Sequence, residues 1–189
     1  MAKLAKNKRC DITLVEEGSM PYTLLAKARG KWHSDLAEAR IVLAWRTGWK
    51  QNRDGRLTLG RCLKATDLQR ELRADCDFVI FLNKDMWDLK EFTDARKLAL
   101  LDHELCHAAP MLDAHDNQKV DARGRKLWRS RGHDVEEFRS VIQHHGIWKA
   151  DLAKFAEALL KKAEKPLLAA MEKDAPPTMP ETNLMAPPN

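Results

Sequence analysis

One stretch of this 189-residue chain combines residue types and spacing that could do chemistry: Leu100-Leu101-Asp102-His103-Glu104-Leu105-Cys106-His107-Ala108-Ala109. It contains His-Glu-x-x-His. Residues four apart in an α-helix lie one above the other on one face, so His103 and His107 can aim two imidazole nitrogens at one point. Zinc accepts imidazole at about 2.0–2.1 Å, and a catalytic zinc takes three protein ligands and keeps a position for water. The metal lowers the pKa of that water toward about 7. Glu104 neighbours the first histidine and reaches the water without binding the metal. It can take the proton during attack and return it to the leaving amine. Aspartate would be too short here, and glutamine could not take a proton. The histidine and glutamate content gives the motif a chance frequency of roughly 2% in a chain of this length, so its surroundings must support it. They do: it sits near the end of a predicted helix, and aliphatic residues precede it.

A third ligand has to come from elsewhere. Downstream lies Arg131-Gly132-His133-Asp134-Val135-Glu136-Glu137-Phe138. His133 follows a glycine and precedes Asp134, a cap for the next helix, which places its ring at a helix entrance. It is the first choice. Glu136 and Glu137 are the alternatives, because a carboxylate on a second helix also completes such a site. His144 and His145 sit at a helix end near Gly146, where they suit the helix dipole; one of them could instead stabilise an oxyanion. His115 falls in a polar loop, and His33 in a polar junction. Cys106 points about 100° away from His107 around the helix and reads as a packed core thiol.

The elements that must position these groups follow from periodicity. Leu24, Leu25, Ala28 and Trp32 recur at helical spacing after Pro21. Residues 39–45 are apolar and partly β-branched, and residues 56–63 alternate polar with apolar, so both read as strands and together as a hairpin. Thr66 or Asp67 caps a short helix through Leu72, and residues 78–82 form a buried strand. Thr93 caps a long helix whose apolar positions run from Ala95 to Ala108 and which Pro110 stops. A polar, basic segment leads to Gly132. Phe138, Val141 and Ile142 mark another helix ending near Gly146, and residues 147–164 a further amphipathic one. Five prolines beyond Lys173 spell a disordered tail.

Composition sets the outer bounds. Hydrophobic residues make up 44% and charged residues 32%, too apolar for a disordered chain. The net charge of +5 permits acidic partners without demanding them. No run approaches the roughly 20 apolar residues that span a bilayer. The four cysteines are scattered, and no apolar stretch follows the basic start MAKLAKNKRC, so a cytoplasmic protein with reduced thiols and no secretory leader is expected. Arg123, Arg125, Lys126, Arg129 and Arg131 surround Trp128, opposed in the local sequence only by Asp121. A solvated helix face explains them; a basic wall contacting nucleic acid is the sharper alternative. Lys3, Lys6, Lys8 and Arg9 form a short cationic arm with the same two readings.

With these residues in hand, the chain resembles a family of phage metallopeptidases, SprT-like or minigluzincin-like proteins with an HExxH motif. The resemblance rests on DHELCHAAP at 102–110, RGHDVEEF at 131–138 and, more loosely, CDFVIFLNKDMWD at 76–88. In SprT-like proteases a Gly-His element leading into a helix with Phe follows the HExxH. Gly132-His133 and Phe138 match that order, which implies zinc held by His103, His107 and His133 with Glu104 catalytic. The 25 residues between His107 and His133 are a longer insert than the pattern has. The resemblance also implies an α+β fold: a zincin-like core with a small mixed sheet packed on the HExxH helix, plus a C-terminal helix. An edge strand, assigned to residues 78–82, would line the cleft and bind peptide by β-augmentation. The expected organisation is a basic arm (1–20), a metallopeptidase domain (21–164) and a Pro-rich tail (165–189). The expected function is zinc-dependent hydrolysis of peptide bonds in a protein or peptide substrate, in the cytosol of a phage-infected bacterium. The rival readings are a non-catalytic zinc-containing binding module and a nucleic-acid-associated protease.

Overall fold

The computed structural model describes residues 11–53, 55–72, 76–136 and 139–162. Lys3, Lys6, Lys8, Arg9, Glu137, Phe138 and the Pro-rich tail lie outside them. The chain divides into two compact units, residues 1–132 and 133–189.

In the first unit, strand β1 (Ile12–Leu14) leads into helix α1 (Met20–Trp32), then strands β2 (Ile41–Arg46) and β3 (Gly60–Lys64). Helix α2 (Asp67–Leu72) connects to strand β4 (Phe78–Asn83), which runs into the short helix α3 (Lys84–Trp87). Helix α4 (Asp94–Cys106) and a two-stranded ribbon of β5 (Ala108–Pro110) and β6 (Trp128–Ser130) complete it. The second unit carries helices α5 (Arg139–His145) and α6 (Ala150–Lys162). This is a mixed α+β fold with a small mixed sheet and a C-terminal helix, the class expected from the sequence.

The sheet order is β1-β2-β4-β3. β2 and β4 pair in parallel, from Ile41 opposite Phe78 to Arg46 opposite Asn83. β3 runs antiparallel along the other side of β4. The expected β2–β3 hairpin therefore does not form: the more apolar β4 inserts between the two. The reason is burial. Central parallel strands are covered on both faces, and β2 and β4 are the two runs apolar enough to accept that. Leu43, Phe78, Ile80 and Leu82 enter the main core with Leu101 and Leu105 of α4, while Val42 joins Ala65 and Cys76 on the opposite face. Residues 78–82 are thus interior, and the edge position assigned to them belongs to β3. β1 falls inside the stretch read as an arm; its three residues are exposed, and the pairing to β2 is what defines it.

The helix boundaries follow local chemistry. The Thr93 side chain accepts the Arg96 N–H and caps α4, as its sequence predicts. Thr66 and Gln69 form a reciprocal capping box at α2. α4 stops at Cys106, earlier than its periodicity suggests, because Ala108 and Ala109 take extended backbone to pair with Ser130 and Arg129. Ala109 also precedes proline, which disfavours the helical region.

Candidate metal centre

The end of α4 places the motif. Leu101 and Leu105 are fully buried and anchor the helix on the sheet. That orientation turns His103 outward and Glu104 inward. The His103 and His107 rings stand 5.0 Å apart at 82°, and one ligand atom of each lies within 4.8 Å of the other's. His107 is the C-cap of α4 with near-helical backbone angles, so the i, i+4 alignment survives although the helix ends one residue earlier.

The ribbon beside α4 fixes the second ring. The Arg131 N–H donates to the His107 carbonyl at 2.8 Å. In return Nδ1 of His107 donates to the Arg131 carbonyl at 2.8 Å. A carbonyl can only accept, so the proton sits on Nδ1 and the lone pair on Nε2. Backbone carbonyls orient metal-binding histidines in this way. The register explains the contact: β5 and β6 pair Ala108 with Ser130, and the next opposed residues are His107 and Arg131. The long insert is therefore a loop that brings the chain back to its starting point.

Glu104 is 3% exposed. Its Oε2 is buried without a hydrogen-bond partner. Burial pushes its carboxyl above the usual range, an effect partly offset by His107 and by the backbone N–H of Cys62. β3 lies against it closely enough that a Cβ at position 60 would stand 2.6 Å from Oε1. Any side chain there would displace the Glu104 carboxyl, a constraint the sequence reading missed because it depends on a contact 44 residues away (60 to 104). The same surroundings push the Cys62 thiol up to about 12, through burial first and the Glu104 charge second.

The other singled-out residues separate clearly. His133 opens the second unit, is exposed, and has Nδ1 4.0 Å from Oε1 of Glu136. His144 and His145 occupy the last turn of α5, as the dipole reading expects. His115 is exposed in its loop. Cys106 is exposed, so the packed-core reading is wrong: the helix turns position 106 away from Leu101 and Leu105. His33 is buried and bonded to Asp102, a contact its polar sequence neighbours did not signal.

The basic segment is largely neutralised, and it is not helical. Arg123 and Arg125 both pair with Glu71, at 2.6 and 3.0 Å. Arg125 also pairs with Asp121, and Lys126 with Glu38. Two of these three acidic residues come from distant sequence, so counting Asp121 alone understated the opposition.

The family model described as "Putative phage metallopeptidase" matches residues 22–161. The chain belongs to this family. Neither the curated proteins nor the solved structures include a significant match. Among the described residues no helix is long and apolar enough to cross a membrane.

Proposed function

We propose that the chain is a zinc-dependent metalloendopeptidase in which His103, His107 and His133 hold the metal and Glu104 is the general base and acid. The observation that carries this reading is the buried Glu104 carboxylate, with one oxygen left without a partner, beside two facing imidazoles. A buried carboxylate lacking a hydrogen bond costs stability, and such groups cluster where chemistry needs them. The donor set suits zinc, with imidazole nitrogens one helical turn apart and a backbone carbonyl setting the tautomer of one. Support for His133 is chain reach. Arg131 is tied to His107, and two residues span at most about 7 Å. Glu136 and Glu137 remain rival third ligands.

When bound, zinc supplies Lewis acidity, polarising a carbonyl and acidifying water. Glu104 takes a proton at its carboxylate and delivers it to the departing amine; its raised proton affinity suits both halves of that exchange. The His107–Arg131 bond keeps the ring from rotating away. β3 is an edge strand among the described residues, and it passes directly over Glu104 at Gly60. An extended peptide adding to that edge would run past the carboxylate. This favours a protein or peptide substrate over nucleic acid: of its five proposed contacts, Arg123, Arg125, Lys126, Arg129 and Arg131, the first three are engaged by carboxylates.

The test is Glu104→Gln, assayed on a peptide library by mass spectrometry alongside metal content. The variant should keep stoichiometric zinc and lose at least about 10²-fold in hydrolysis. Unchanged turnover removes Glu104 from its role. Absence of hydrolysis in the zinc-loaded parent, with the metal bound, favours the binding-module reading.

A further inference from the structure

A cavity of about 580 Å³ opens beside α4 on a face that the proposed metallopeptidase centre does not use. His33, Asp102 and Cys106 line it. Positions 102 and 106 are four apart and stack on one helix face, turned about 100° from the row holding His103 and His107. His33 arrives from the C-cap of α1. Its Nε2 donates to Oδ1 of Asp102 at 2.7 Å. One nitrogen, one oxygen and one sulfur from these three side chains lie within 4.8 Å of one another.

We infer that His33, Asp102 and Cys106 form a second binding site, for a thiophilic divalent cation of the zinc type. Tetrahedral zinc with bonds of about 2.0–2.3 Å sets donor separations of about 3.3–3.8 Å. The His33–Asp102 pair, at 2.7 Å, has to open by about 0.6 Å, and a separation at the 4.8 Å limit has to close by about 1 Å. The charge also balances. Asp102 and an ionised Cys106 cancel the two positive charges of the ion, so Arg129 and Arg131, which also line the cavity, face a neutral centre. The ion enters through the exposed Cys106 side, displaces the thiol proton to solvent, and takes the Nε2 lone pair of the nearly buried His33 once solvent has carried the ring proton from Nε2 to Nδ1. A site here joins α1 to α4, the helix that carries the catalytic motif. None of this depends on the metallopeptidase reading.

The experiment titrates the full-length, metal-free protein with cobalt(II). A sulfur-to-cobalt charge-transfer band in the near ultraviolet reports cobalt on a thiolate. The His103–His107 centre offers no sulfur, so cobalt there gives only the weaker visible bands. The expected result is a sulfur band that saturates in the parent and is lost in Cys106→Ser, while the visible bands of the other ion persist. Asp102→Asn keeps an acceptor for His33 and should raise the half-saturating cobalt concentration for that band by about 10-fold or more. A saturated protein with no sulfur band overturns the inference, as does a band that survives Cys106→Ser. Loss of the visible bands alone counts against the metallopeptidase centre instead.

Discussion

One methyl group at Gly60 sets stability against chemistry at the same carboxylate. A Cβ there would stand 2.6 Å from Oε1 of Glu104, 3.0 Å from its Cδ and 3.1 Å from its Cγ. Nonbonded heavy atoms settle at about 3.5–4.0 Å, so the Glu104 side chain must retreat by roughly 1 Å. The clash meets the end of a side chain and not backbone, so the fold should survive. Overpacking of this kind costs about 1–3 kcal/mol, and at about 2–4 °C per kcal/mol for a chain of this length the Tm falls by about 2–12 °C. A 1 Å misplacement of a reacting group costs about 10²-fold in rate, or about 2.7 kcal/mol of barrier. If the proposed centre is right, Gly60→Ala should remain folded, bind zinc as the parent does, and lose about 10²-fold in kcat/KM, measured well below both melting temperatures. An unchanged kcat/KM in a demonstrably folded variant would refute the claim that the position of Glu104 governs hydrolysis. Loss of activity together with loss of zinc would place the effect of Gly60 on the metal ligands instead.

The remaining predictions concern protonation. With its thiol pushed up to about 12, Cys62 holds only about one thiolate in 10⁴ at pH 8. Peptide mapping after brief alkylation should show Cys106 labelled and Cys62 spared until the chain is unfolded; equal labelling of both in the folded protein contradicts the burial argument. Glu104 has a carboxyl raised by burial, so the folded state holds that proton more tightly than the unfolded chain does. That contribution is full below the ordinary carboxylate range and is lost as pH rises through the folded value. Metal-free Glu104→Gln should accordingly melt above the metal-free parent at pH 7, with the gap closing as pH falls toward about 4. A gap that widens on acidification reverses the sign and rules the cause out.

The parts of this protein that were legible in the sequence are those decided over a few residues. His103 and His107 face one another because of helical periodicity, and Thr93 caps α4 because of its own hydroxyl. The apolar runs at β2 and β4 announce themselves as strands by composition. The helix end was less legible, because Ala108 and Ala109 gain more by pairing with β6 than by continuing a helix, and β6 is some twenty residues away (109 to 129).

Partners distant in the chain had to wait for the tertiary structure. Which strand lies between which is set by the burial of whole faces, so the apparent β2–β3 hairpin gave way to a parallel β2–β4 pair with β3 at the edge. The glycine beside Glu104, the His33–Asp102 bond and the Glu71 and Glu38 carboxylates that quiet Arg123, Arg125 and Lys126 all join segments far apart in the chain. Local spacing determined where a metal-binding motif would form. Long-range packing decided what surrounds it, because the energy of those contacts depends on which surfaces meet and not on which residues are neighbours in sequence.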